Sequence, residues 1–208
     1  GEKILRGAAL ADFDNNGKSD IVVGTDSENV YLIYDDGTIA DGFPFEGDGD
    51  FRSAPAILDY NGQKIILIGS KNGIFYGIDE NGNLIFEIET SDDIMAGPSI
   101  LSFDGLPPII FFGNDDGEVY AIYSDGSILD GWPIMFPDNI VSSIVFSDLN
   151  SDFIPEIIFP LDDGSLYVTD IYGNNYSSTP FQYAFPYTSS PIIVDLDLDG
   201  DLEIFCGT

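Results

Sequence analysis

The sequence predicts an all-β fold, a β-propeller built of four-stranded antiparallel blades. Short apolar runs recur about every 45 residues, and each ends in a turn residue. In the first four repeats, a second run with alternating apolar residues and a tyrosine follows after a turn. No segment keeps a helical period over the length that a helix needs. The end residues of the apolar runs are Gly24, Gly69, Gly113, Pro160 and Gly207.

Each repeat is expected to form four strands in chain order. A segment of small residues leads into the first strand, and the apolar run is the second. The tyrosine-containing run is the third strand, followed by a pair such as Asp36-Gly37 that suits a tight hairpin. The fourth strand is expected to be short and to lead to Gly42-Phe43-Pro44 in repeat one and Gly131-Trp132-Pro133 in repeat three.

The repeats define a single β-propeller domain over residues 1–208, with four full units and a partial fifth. The fifth unit stops after its second strand. Either a two-stranded fifth blade closes a small propeller, or the chain is a segment of a longer protein. The second interpretation is favoured, because Gly207-Thr208 falls where the next hairpin would begin. The expected units cover residues 6–49, 51–94, 95–138, 139–186 and 187–208.

The charge balance excludes several classes of function. The chain has 37 Asp or Glu, 6 Lys or Arg and no His, which gives a formal net charge of -31. Such a chain cannot neutralise phosphates, so nucleic-acid binding is excluded, and anionic lipid surfaces should repel it. Without His there is no Ser-His-Asp catalysis, and one Cys makes no internal disulfide. No apolar run is long enough to insert in a membrane.

Acidic loops between the first and second strands are the candidate metal sites. Repeats one and five follow the pattern D-x-[DN]-x-[DN]-G-x-x-[DE], which places oxygen ligands at positions 1, 3, 5 and 9. Position 7 would add a backbone carbonyl, and a set of oxygen ligands is what Ca²⁺ prefers. Position 12 is not acidic, so the loop is not an EF-hand. The predicted ligands are Asp12, Asp14, Asn16, Lys18 and Asp20 in repeat one, and Asp195, Asp197, Asp199, Asp201 and Glu203 in repeat five.

Repeat four carries a weaker version of the same loop, and repeats two and three have lost it. The repeat-four loop has Phe153 where the other two have Gly, but its oxygen ligands are in place. We therefore expect two Ca²⁺ sites and consider a third. The candidate residues of the third site are Asp148, Asn150, Asp152, Ile154 and Glu156. In repeats two and three, residues 59–63 and 103–107 read as short turns with too few ligands.

The repeats resemble the FG-GAP or VCBS repeats of integrin α-subunit propellers and bacterial secreted proteins. The resemblance rests on residues 190–200, on Ala9-Leu10-Ala11-Asp12-Phe13-Asp14 and on the terminal Gly207-Thr208. It implies Ca²⁺ between the first two strands of a blade, at the matching residues of repeats one and five, with those of repeat four as a further candidate. The Gly-Trp-Pro and Gly-Phe-Pro endings are similar to those of bacterial surface or secreted members.

Other recurring residues favour packing over chemistry. Trp132 and Phe43 precede Pro at matching positions, where a sugar-stacking platform is the alternative to blade packing. The third-strand tyrosines are expected to form contacts between blades. Cys206 aligns with apolar residues of the second strand, and no His is present to activate it.

The sequence thus favours a non-catalytic, calcium-binding module at the cell surface or outside the cell. It would bind a protein or a carbohydrate. One alternative is a propeller carrying Ca²⁺-assisted polysaccharide cleavage, although no Lys or Arg follows Lys71 to stabilise charge. A quinone-dependent propeller meets the same objection. Another alternative is a purely structural segment of a larger surface protein, and an adaptation to high salt would also explain the acidity.

Overall fold

The computed structural model describes residues 1–103, 106–140, 142–176 and 178–208, and within these ranges it contains 18 strands and no helix. The strands form four four-stranded antiparallel sheets and one two-stranded sheet, each with its strands in chain order. Each sheet falls inside one of the sequence repeats. The all-β class and the four-stranded antiparallel unit are therefore confirmed.

We number the sheets 1 to 5 along the chain. Sheet 1 contains β1 (Ala9–Ala11), β2 (Asp20–Gly24), β3 (Asn29–Ile33) and β4 (Phe45–Glu46). Sheet 2 contains β5 (Ala56–Tyr60), β6 (Gln63–Gly69), β7 (Ile74–Asp79) and β8 (Leu84–Glu89). Sheet 3 contains β9 (Ser99–Leu101), β10 (Ile109–Gly113), β11 (Glu118–Ile122) and β12 (Ile134–Met135). Sheet 4 contains β13 (Val145–Ser147), β14 (Glu156–Pro160), β15 (Ser165–Thr169) and β16 (Phe181–Gln182). Sheet 5 contains β17 (Ile192–Val194) and β18 (Glu203–Phe205).

The fourth strand differs from the sequence-based expectation in repeats one and three. It follows the Gly-aromatic-Pro segment instead of leading to it, as β4 begins at Phe45 and β12 at Ile134. Before that segment only single bridges form, Ile33 with Ile39 and Ile122 with Ile128. Proline has no N–H to donate to a ladder, so the segment interrupts the pairing. Repeat two has no proline there, and β8 runs unbroken over six residues.

The hydrophobic core consists of clusters between consecutive sheets. One cluster joins sheets 1 and 2, the next joins sheets 2 and 3, another joins sheets 3 and 4, and a smaller one joins sheets 4 and 5. Successive residues of a strand point to opposite faces. In β6, Ile66 and Ile68 therefore contact sheet 1, and Ile65 and Leu67 contact sheet 3. A sheet is thus buried on both faces only when it has a neighbour on each side.

The glycine that ends the second strand makes room for the next sheet. A Cβ added to Gly113 would lie 2.5 Å from Cβ of Ile140, which is fully buried. A Cβ added to Gly69 would lie 2.2 Å from Cγ2 of Ile94 in the same way. The recurrent glycine of the apolar runs is therefore a packing requirement of these repeats.

The outer faces of the two end sheets are partly exposed. In sheet 1, the side chains of Leu10 and Ile21 are 63% and 39% exposed. In sheet 5, those of Ile192 and Phe205 are 66% and 43% exposed. In the ranges that the structure describes, no core cluster joins sheet 5 to sheet 1.

The aromatic residues that recur in the repeats pack between sheets. Trp132 is 7% exposed, and its Nε1 donates a hydrogen bond to the carbonyl oxygen of Ile171 at 3.2 Å. Tyr76 lies edge-on to Phe45 of sheet 1, with ring centres 5.5 Å apart. This is the packing role that the sequence predicted. Tyr31 is the exception, because it lies in none of the core clusters of the described residues and its hydroxyl donates to Glu2 at 3.0 Å. None of the described segments is a helix long and apolar enough to cross a membrane.

Candidate metal sites

The three acidic loops occupy the same place in their sheets. Each joins the first strand to the second, and its last acid is the first residue of the second strand, namely Asp20 of β2, Glu156 of β14 and Glu203 of β18. The loops of repeats two and three differ. Asn61 and Gly62 make a two-residue turn between β5 and β6. The repeat-three turn includes residues 104 and 105, which lie outside the described residues.

The three loops share one backbone frame. At position 4, Asn15, Ser151 and Leu198 all have left-handed backbone angles, with φ of 60°, 62° and 62°. Position 6 is also left-handed, at Gly17, Phe153 and Gly200, with φ of 85°, 70° and 99°. Phe153 thus adopts a backbone conformation typical of glycine, which is unfavourable for a residue with a bulky side chain. Phe153 is also 91% exposed, so no packing of its side chain offsets this cost. The repeat-four loop therefore has the same curl as the other two.

The first acid of each loop fixes this curl by accepting hydrogen bonds from the backbone. Its side chain accepts the N–H of the sixth residue, which closes a ring around the loop. The three distances are 2.8 Å from Gly17 to Asp12, 2.9 Å from Phe153 to Asp148 and 3.1 Å from Gly200 to Asp195.

The last acid of each loop accepts the N–H of the second residue. The distances are 2.7 Å from Phe13 to Asp20, 2.7 Å from Leu149 to Glu156 and 2.8 Å from Leu196 to Glu203. Asp20 is completely buried and Glu156 is 4% exposed. Burying a carboxylate costs free energy unless it is hydrogen-bonded or paired, and these bonds offset part of that cost.

Carboxylates gather in repeats one and five. One carboxylate oxygen from each of Asp12, Asp14 and Asp20 lies within 4.8 Å of the other two, and the same holds for Asp195, Asp197 and Glu203. Within the described parts of the chain, the acids of the repeat-four loop make no such group. Their amide neighbour fills part of that space, because Nδ2 of Asn150 donates to Asp152 at 3.1 Å and to Glu156 at 3.0 Å.

The other predicted ligands lie at the edges of these groups. The side-chain oxygen of position 5 accepts the N–H of position 7, at 2.8 Å from Lys18 to Asn16, 2.9 Å from Asp201 to Asp199 and 2.8 Å from Ile154 to Asp152. The carbonyl role of Lys18, Asp201 and Ile154 stays a prediction.

Charge crowding acts on the carboxylates of these loops. Burial, together with the charges of Asp152 and Asp148, raises the pKa of Glu156. Burial also acts to raise the pKa of Asp12, but hydrogen bonds from the N–H groups of Gly17 and Asn16 outweigh it and lower that pKa. A divalent cation would relieve the repulsion that remains among the acids.

Asp35 belongs to the repeat-one site, although it lies outside the acidic loop and the loop pattern does not include it. Its carboxylate accepts hydrogen bonds from Nδ2 of Asn16 at 2.7 Å and from Nζ of Lys18 at 2.6 Å. The bonds to Lys18 and then Asn16 lower the pKa of Asp35. Its own N–H donates to Asp20 at 3.0 Å. The available signal was topological, since the turns after the first and third strands of a meander meet at one edge of the sheet.

The donor sets of repeats one and five fit Ca²⁺. They consist of carboxylate and amide oxygens, the ligands that a hard cation prefers, with no sulfur or imidazole. Oδ1 of Asp195 is buried and has no hydrogen-bond partner, whereas buried polar atoms are nearly always paired. An oxygen in this state, beside two further carboxylates, is suited to a cation ligand.

Solved structures similar to this chain support a β-propeller-like fold. One is a crystal structure of BBS1N in complex with ARL6DN, soaked with mercury, with a TM-score of 0.59 and 17% identity over 84% of this chain and 53% of that chain. Another is the computationally designed Ika8 protein, with a TM-score of 0.61 and 19% identity over 95% of this chain and 57% of that chain. The BBS1N complex soaked with lead gives 0.61 and 16% identity, over 92% of this chain and 56% of that chain.

The chain therefore spans somewhat more than half the length of the solved chains that it matches. At these identities the likeness concerns the fold alone. No family model and no curated protein matches the sequence.

Proposed function

We propose that the protein is a non-catalytic, calcium-binding module of the FG-GAP or VCBS type, and that it binds a protein or a glycan at the cell surface or outside the cell. The observation that carries the proposal is the pair of carboxylate groups in repeats one and five. Both occupy the same loop of their sheets, both sets of oxygens lie within 4.8 Å, and Oδ1 of Asp195 has no partner.

Calcium would stabilise these loops by offsetting the repulsion among their acids. A ligand that binds only the folded chain adds about 2.7 kcal/mol per site at a hundredfold excess over its Kd. Calcium sites of extracellular modules have Kd values of about 10⁻⁴–10⁻³ M, which suits a chain that works outside the cell. Binding would thus couple the fold to the calcium concentration around it.

The acidic turns elsewhere support a non-catalytic role. Oδ1 of Asp125 accepts the N–H of Ser127 at 2.9 Å, and Oδ1 of Asp163 accepts the N–H of Ser165 at 2.7 Å. These are the hydrogen bonds of ordinary Asx turns, so the carboxylates have a structural use. The chain contains no His, and no Lys or Arg follows Lys71.

Thermal unfolding in EDTA and in calcium tests this proposal. For a chain of this size, about 1 kcal/mol shifts the Tm by roughly 2–4 °C, so one saturated site should raise it by about 5–10 °C. Asp12→Asn and Asp195→Asn should each reduce the shift. Asp125→Asn removes the same charge from an ordinary turn and should leave the shift unchanged. Equal Tm values in EDTA and calcium would show that the loops are only acidic turns.

A further inference from the structure

An open cavity of about 220 Å³ lies where the five repeats meet. Its lining comes from the five segments that lead into the first strand of each sheet. One residue from each segment, in chain order, is Arg6, Ala54, Gly97, Ser143 and Ser190. The pair Gly97 and Ala54 shows how close these segments come, since a Cβ on Gly97 would lie 3.0 Å from the carbonyl oxygen of Ala54. The small residues of these segments thus leave a space between the five repeats.

The charge in this cavity is opposite to that of the chain. The protein has 37 acids and 6 bases, yet the described residues that line the cavity include Arg6 and no Asp or Glu. The polar remainder of the lining is made of hydroxyl groups, from Ser142, Ser143, Thr188, Ser189 and Ser190. A guanidinium amid hydroxyls can bind a carboxylate and, beside it, groups that both donate and accept hydrogen bonds.

Arg6 and Ser142 differ in what their polar groups can offer to a ligand. Ser142 is 8% exposed, and its buried Oγ has no hydrogen-bond partner. Nε of Arg6 donates to the carbonyl oxygen of Arg52 at 3.0 Å, which holds the side chain. Arg6 is not part of any of the three ion pairs found among the described residues. The other N–H groups of the exposed Arg6 guanidinium are therefore open to a ligand in the cavity, whereas the Oγ of Ser142 is enclosed by protein.

We propose that this central cavity binds a small hydroxylated carboxylate, with the chemistry of a single uronic-acid ring. Arg6 pairs with the carboxylate, and the hydroxyls of Ser143 and Ser190 bind the ring hydroxyls. The volume is below the roughly 300–1,000 Å³ of pockets for drug-sized ligands, which suits one ring. The inference rests on the glycan-binding part of the proposed function and names its ligand class.

The test compares galacturonate with galactose, which has the same ring without the carboxylate, by calorimetric titration of the full chain. We expect saturable binding of galacturonate and at least about tenfold weaker binding of galactose, the loss of one charge-assisted contact. Arg6→Gln should remove this preference, and Ser143→Ala should weaken the binding of both sugars. Arg52→Gln is the matched control, because it removes the same charge near the cavity from a side chain that pairs with Asp50 instead.

Each outcome decides the proposal. Equal affinity for the two sugars, or no saturable binding of galacturonate, would overturn it. An equal loss in Arg6→Gln and Arg52→Gln would assign the effect to general charge and would also overturn it. The Tm shift in calcium, measured on the same samples without sugar, reports separately on the calcium proposal. A normal shift with no sugar binding would refute the cavity proposal alone.

Discussion

The contact between Gly113 and Ile140 should limit how closely sheets 3 and 4 can pack. Gly113→Ala would place a methyl group 2.5 Å from both Cβ and Cγ2 of Ile140. Ile140 cannot easily withdraw, since it is fully buried and its N–H donates to the carbonyl oxygen of Asn114 at 3.0 Å. Gly113 is not among the glycines with positive φ, so the cost arises from overlap, at about 1–3 kcal/mol of unfolding free energy.

The double variant makes this prediction specific. Ile140→Gly, which removes the Cβ as well, should alone cost at least about 2–5 kcal/mol, because it leaves a cavity in the cluster between the two sheets. In the double variant, the new methyl group at residue 113 enters the space that Ile140 vacated. The cost of the double change should therefore be smaller than the sum of the single costs by about 1–3 kcal/mol.

Urea unfolding followed by circular dichroism, in buffer with calcium, measures the four free energies. Gly7→Ala is the matched control, because a Cβ there meets only Cβ of Ala54 at 3.8 Å. It should change the unfolding free energy by less than about 0.5 kcal/mol. If the two single costs add within about 0.5 kcal/mol, the close approach of these sheets does not exist as described.

Two further changes test electrostatics and hydrogen bonding between repeats. Burial and the neighbouring carboxylates Asp93, Asp92 and Asp162 raise the pKa of Asp115 to about 6, so ionisation in the folded state is disfavoured and stability falls as pH rises from about 4 to 6. Asp115→Asn should therefore raise the unfolding free energy at pH 7.5, by on the order of 1 kcal/mol after solvent screening, and by less at pH 4.5. Urea unfolding at both pH values measures the two effects, and equal effects would contradict the prediction. Trp132→Phe keeps a ring but loses the bond to the carbonyl oxygen of Ile171, at a cost of about 1–2 kcal/mol by circular dichroism, and a change below about 0.5 kcal/mol would refute that role.

Most strands could be predicted because the residues at their ends, mainly Gly, Asn and Asp, are recognisable in the sequence. Asp-Gly pairs mark the hairpins, and Gly113 marks the end of its strand because the neighbouring sheet needs that space. The fourth strand was misplaced for a physical reason. The strand was expected before Pro44, but only one bridge, between Ile33 and Ile39, forms there, and pairing resumes at Phe45.

The acidic loops of repeats one and five could also be predicted, since oxygen ligands at alternate positions followed by Gly17 or Gly200 indicate the curl of the loop. In repeat four, Phe153 takes the same left-handed angle, which the residue type alone would not suggest. The role of Asp35 could not be predicted, because it lies in a different turn of the sheet and meets the loop only in the folded structure. The cavity beside Arg6 was equally hidden, since its lining comes from five separate segments.

The arrangement of the core between sheets makes the stability of the molecule local. Every sheet is held by its neighbours, so cooperativity passes from one repeat to the next, as in a linear array. Sheets 2, 3 and 4 are clamped on both sides, and the pair β17 and β18 is clamped on one side only. Amide protection should then be highest in sheets 2, 3 and 4 and lower in sheets 1 and 5, which pack against one neighbouring sheet each. A cation held in the loop between β17 and β18 would stabilise sheet 5, which packs against one neighbouring sheet only.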